Sequence, residues 1–111
     1  MMRLIWTKRA QYERFKVAAY ISDNFGKKAT EEFVSDLTEK WHWIKEMPTI
    51  GRLEPLLADR VIQYRYLHVG KHNKMIYYVK GDTIYIVDLW DMRREPSRLA
   101  GRIKSKKIMN E

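Results

Sequence analysis

Three cations stand where extended segments begin or end: Arg65 within Tyr64-Arg-Tyr-Leu-His-Val-Gly70, Lys74 at the head of Lys74-Met-Ile-Tyr-Tyr78, and Arg93 within Leu89-Trp-Asp-Met-Arg-Arg-Glu-Pro96. An arginine closes a planar fork on a phosphate or carboxylate and a lysine adds a point charge, so the three would hold an anion if they converge at one end of a meander. Strand alternation sets Arg65, Leu67 and Val69 on one face and Tyr64, Tyr66 and His68 on the other, which makes Arg65 a candidate for an open sheet face. His68 and His72 lie around the turn before Lys74 and titrate near neutral pH, so either can act as an acid or base, although a solvated turn histidine is the plainer reading. Asp91 stands two residues before Arg93, the spacing of an ordinary surface ion pair.

Other chemistries are excluded. The chain has no cysteine, hence no disulfide, thiolate metal centre or cysteine nucleophile, in keeping with a reducing cytosol. His42, His68 and His72 lack the spacing of a zinc motif, and no Gly-rich phosphate loop or GxSxG elbow is present, so neither metal nor cofactor is expected. The longest apolar runs, such as Met75 to Val79, are far below the roughly 18 residues of a membrane span, and Met1 to Ala10 holds no apolar leader. A soluble, cytoplasmic protein without a membrane partner is expected.

The net charge of +8 is unevenly spread: residues 1–59 hold 10 basic and 9 acidic side chains, residues 60–111 hold 12 and 5. A field of one sign speeds encounter with its opposite, so an anionic partner is implied, either nucleic acid or an acidic protein segment.

The elements that must position these groups can be read from pattern. Leu4 to Trp6 reads as a short strand, and Thr7 as the N-cap of a helix over about 8–24, with Tyr12, Phe15, Ala18, Ala19 and Phe25 as its buried face and Gly26 as its stop. A second helix begins between Lys27 and Thr30 and carries Phe33, Val34, Leu37, Trp41 and Ile44 on one stripe. Trp43 falls beside that stripe and is expected to pack on the first helix. The short link Asp23-Asn-Phe-Gly26 makes the pair an antiparallel hairpin. After a loop containing Pro48, Gly51 and Pro55 the period changes to two, and Arg60 to Val69, Lys74 to Lys80 and Thr83 to Trp90 read as three antiparallel strands. At 111 residues one domain is expected, an α+β sandwich with both helices on one face of a four-stranded sheet. The other face is expected to be open and basic, and the tail 101–111 frayed.

In order and spacing, these segments resemble the RelE/ParE superfamily of toxins from bacterial type II toxin–antitoxin, or plasmid stabilisation, systems. The likeness runs from Ile5-Trp-Thr7 and Ala10 through Met47-Pro-Thr-Ile-Gly-Arg52 to Ile84-Tyr-Ile-Val-Asp-Leu-Trp-Asp-Met-Arg-Arg-Glu-Pro96. The resemblance implies the same helical hairpin on a sheet, and an acidic antitoxin that neutralises a growth-inhibiting toxin. It also implies one of two targets, DNA gyrase for ParE-like members or mRNA on the translating ribosome for RelE-like members. In the RelE-like, metal-independent endoribonuclease, Arg65, Lys74 and Arg93 would be catalytic, binding the scissile phosphate and stabilising its developing charge. This chain departs from that pattern: Leu67 replaces a second strand cation, and no tyrosine follows Tyr85, which leaves His68, His72, Asp91 or Glu95 to serve as base. ParE-like action needs no catalytic set and is the preferred expectation. A non-toxic nucleic-acid-binding module or decayed toxin is the remaining alternative.

Overall fold

The computed structural model describes residues 2–103. In chain order they form strand β1 (Arg3–Trp6), helix α1 (Lys8–Glu46), strand β2 (Arg52–Leu53), a 3-10 turn (Pro55–Leu57), strands β3 (Arg65–Val69), β4 (Asn73–Lys80) and β5 (Thr83–Asp91), and helix α2 (Pro96–Arg102).

Thr7 starts α1 as expected: its backbone is extended and its hydroxyl accepts the Ala10 N–H at 3.2 Å. Gly26 breaks the helix at φ 88°, a region most side chains avoid, so α1 is a hairpin of arms 8–25 and 27–46 and its link is a single glycine. The sheet runs β1-β5-β4-β3-β2, with β1 parallel to β5 and the other pairs antiparallel. It therefore has five strands where four were expected, the short β2 adding to β3. The ladder of β3 starts at Arg65 rather than Arg60: the Arg60 N–H bonds the Leu57 carbonyl at 3.1 Å in the turn, and its guanidinium donates to the carbonyls of Ala100 and Ile103.

One face of the sheet meets α1. Ala10, Phe33, Leu37 and Ile44 pack there on Val69, Met75, Ile84, Ile86 and Leu89, each fully buried aliphatic contributing about 1.5–3 kcal/mol. The expected buried face of the first arm is corrected: Tyr12, Phe15 and Phe25 are 60%, 61% and 66% exposed, and Ala10, Glu13, Val17 and Ile21 turn to the sheet instead. Two apolar stripes compete on this arm. The Thr7 N–H bonds the Ile86 carbonyl at 3.0 Å, which pins the start of α1 to β5 and so fixes the roll that buries Ala10. Val34 and Trp43 are likewise exposed, Trp43 lying under the Lys40 ammonium rather than against the first arm.

The opposite face is not open. Ile76, Tyr78 and Trp90 are covered by Leu57 of the 3-10 turn and by Leu99 of α2, with Tyr64 completing the cluster. Such apolar side chains would be costly to leave in water, which is why the C-terminal segment folds back over them. Part of the tail expected to fray, Gly101 and Arg102, completes α2; residues 104–111 lie outside the described residues.

Candidate functional site

The three cations are not gathered. Arg65 stands opposite Tyr77 on the α1 face, and Lys74 stands opposite His68 on the α2 face. Three residues of strand separate their rows, roughly 10 Å, with the sheet between them.

Each is also engaged. The Lys74 ammonium is ion-paired to Glu54, a carboxylate 2% exposed, and sits 4.7 Å from the Tyr66 ring centroid. Glu54 is held in turn by the Leu56 N–H at 2.9 Å, where it caps the 3-10 turn ahead of Pro55. Arg65 donates to the Gly51 carbonyl at 2.8 Å. The same loop is tied to the sheet by Tyr77, whose hydroxyl accepts the Gly51 N–H at 3.0 Å and donates to the Pro48 carbonyl at 2.7 Å. Burial pushes the Tyr77 phenol up, so it stays protonated and keeps donating. Gly51 is required by this closeness: a Cβ would meet the Tyr77 oxygen at 2.7 Å and the Tyr66 carbonyl at 2.9 Å.

Arg93 closes a fork on Asp91, with Nε to Oδ1 at 3.0 Å and Nη2 to Oδ2 at 2.7 Å. The Arg93 side chain, and then its N–H, hold the Asp91 carboxyl below its usual range. Of the histidines, His68 is exposed and stacked on Tyr66 at 5.5 Å, while His72 is exposed in the β3–β4 turn, its carbonyl accepting the Met92 N–H at 2.6 Å. Arg65 and His72 line two different cavities.

What the fold does assemble is a groove of about 790 Å³ between the two arms of α1, the β3–β4 turn and the segment after β5. Val17, Tyr20, Ile21, Phe25 and Phe33 supply its apolar wall; Lys71, His72, Arg93 and Arg94 line its sheet side, where the one acid, Asp91, is held by Arg93, and Glu13 and Glu32 stand on the α1 side with Lys16. The turn is fixed in place by Asp36, which accepts the Gly70 N–H at 2.7 Å and pairs with Lys40 at 2.8 Å. Partial burial pushes the Asp36 carboxyl up, but the Gly70 N–H and Lys40 outweigh it and leave it below the ordinary value. An apolar trough with cations on one bank suits an amphipathic acidic segment, apolar side down. The groove was not legible in the sequence because Phe25, which lines it, reads as a core residue. The signal available was Val17 and Ile21 at helical spacing on the other stripe.

A second polar cluster locks α2. Arg102 reaches Asp88 at 2.6 Å and Glu13 at 3.4 Å, both carboxylates being buried, and lies 4.8 Å from the Trp90 ring, as does Arg94. Burial raises the Asp88 carboxyl even against the Arg102 charge.

Among the described residues no helix is long and apolar enough to cross a membrane, and no cluster of histidine and carboxylate side chains is suited to a metal. No curated protein matches the chain. Solved structures show a shared fold. One titled a chromosomal ParDE TA system from P. aeruginosa has a TM-score of 0.66 at 21% identity, covering 82% of this chain and 96% of that one. A YoeB/ParE toxin from Agrobacterium tumefaciens has a TM-score of 0.56 at 17% identity, covering 81% and 98%. A YoeB dimer from Staphylococcus aureus has a TM-score of 0.53 at 18% identity, covering 78% and 92%. The model of the family described as the ParE toxin of the type II toxin–antitoxin system, parDE, matches residues 4–96. The chain belongs to the ParE toxin family of type II toxin–antitoxin systems.

Proposed function

We propose that this toxin acts on DNA gyrase, and that an acidic antitoxin neutralises it by seating an amphipathic segment in the groove between the α1 arms. The observation that supports the gyrase reading is the dispersal of the cations: Lys74 is paired with buried Glu54 on one face while Arg65 is bound to the Gly51 carbonyl on the other. Metal-free cleavage of RNA needs cations at the scissile phosphate and a base at the 2′-hydroxyl, all within hydrogen-bond reach of one substrate. Inhibition by binding has no such requirement.

The groove supports the antitoxin half of the reading, since its apolar wall and cationic bank are complementary to an acidic amphipathic chain. The test is paired. Purified toxin is added to a gyrase supercoiling assay and, separately, mRNA cuts are mapped on translating ribosomes. Loss of supercoiling without codon-phased cuts is the expected result. Phased cuts that vanish in Arg65→Ala or Lys74→Ala would establish the endoribonuclease instead, and inactivity in both assays would indicate a decayed toxin.

A further inference from the structure

At the end of β4 away from the groove the sheet is unfinished. β3 begins opposite Tyr77, whereas β4 continues to Lys80, paired with Thr83 of β5 on one side and with no strand on the other. Residues 61–63 pass beside it without joining the ladder. The gap is a cleft of about 440 Å³ whose lining includes Pro48, Val61, Arg65, Val79 and Lys80. Its surroundings are apolar and uncovered: Met47 is 57% exposed, Leu53 52%, Val61 81% and Val79 40%.

The charges here are uncompensated. Among the described residues, Arg65 and Lys80 form no ion pair. Arg65 uses only Nη1, on the carbonyls of Gly51 and Thr49, so its Nε and Nη2 donors have no acceptor among those residues. An open strand edge invites another strand, apolar walls take its alternate side chains, and a half-used guanidinium takes a carboxylate. A nucleic-acid strand fits less well, because the aromatic ring in the lining, Tyr78, is buried and cannot serve as a stacking platform.

We propose that this cleft is a second docking site, which receives an extended acidic segment of a protein partner by backbone pairing at Val79, beside the Lys80 side chain, with a carboxylate on Arg65. The inference rests on the toxin reading in one respect: the groove is left to the antitoxin, and the cleft to a different protein. Binding at the cleft is measured without reference to toxicity, so failure of either idea shows separately.

The isotope-labelled full chain is titrated with an octapeptide of alternating valine and glutamate while backbone amide resonances are followed. Shifts concentrated at residues 61–65 and 78–80 are expected, with an affinity that falls by about tenfold or more in Arg65→Glu, as for loss of a charge-assisted contact. Lys80→Glu, at an exposed position, gives the same direction and guards against misfolding of the first variant. An absence of shifts in these two segments overturns the proposal. So does perturbation confined to residues 17–33, or equal binding at the cleft by a valine–lysine octapeptide or a deoxythymidine decamer.

Discussion

The two faces of the sheet are covered by different means. The α1 face is closed by a long hairpin through aliphatic contact, with Ile44, Ile84 and Ile86 fully buried. The α2 face is closed by seven residues of helix that bury one leucine, Leu99, among aromatic rings, and the remaining hold is polar. Arg102 bridges two buried carboxylates, Arg60 binds the last carbonyls of the helix, and Glu54 pairs with Lys74 beneath. A short helix offers too little apolar area to fasten itself, so each fixed charge carries a larger share. Such a hold is also brittle, because a buried charge that loses its partner costs more than the pair had contributed.

The sharpest test of this difference is Arg102→Met. It leaves Asp88 and Glu13 buried without a cation, and a loss of about 3–5 kcal/mol in denaturant unfolding is expected. Adding Asp88→Asn should recover much of it; no recovery would show that the cluster acts through packing alone. Next is Ile44→Ala, which should cost about 2–5 kcal/mol and lower the whole transition together. By contrast, Leu99→Ala should detach α2 first, seen as a shift in Trp90 fluorescence ahead of global unfolding. A single coincident transition in both variants would erase the distinction drawn between the faces.

The pH response separates the faces more finely. Asp36, on the α1 side, has a depressed carboxyl, so its stabilisation is present above the unfolded value of about 3.9 and is lost as pH falls through the lower folded value. Asp88, on the other face, is raised, so its ionised form opposes folding at neutral pH and that penalty shrinks as pH falls. Asp36→Asn should therefore flatten the acid limb of the stability profile, with a cost of about 1 kcal/mol at neutral pH from the weakened bond to Gly70. Asp88→Asn in the Arg102→Met background should act in the reverse sense, removing the penalty at neutral pH and nothing in acid. The smallest effect is expected for Arg93→Ala: its exposed pair with Asp91 should leave the thermal midpoint unchanged, while the affinity of the groove for an acidic segment falls. If that affinity is unaltered, the cationic bank of the groove has no part in binding.

Much of the scaffold was legible from local chemistry. Thr7 reads as a cap because its hydroxyl can serve an unpaired N–H, Gly26 as a break because it alone tolerates positive φ, and Gly70 and Gly81 as turns for the same reason. The α2 cover was missed because Pro96 to Arg102 is too short to show a period. The candidate site was legible by residue type but not by arrangement. Arg65 and Lys74 were correctly set in neighbouring strands, yet whether they share a face depends on a register that neither strand specifies alone.

By itself the sequence determined the first strand, the helical hairpin and the three-stranded meander in that order, the family and the excess of positive charge, all of which depend on near neighbours or on sums over residues. Tertiary structure decided which stripe of the first arm is buried, that Glu54 claims Lys74, and that Arg102 closes the far face over Asp88. These are choices among partners of similar chemistry. They are settled by which groups the packed chain brings within a few ångströms, because burial and ion pairing act only over that range.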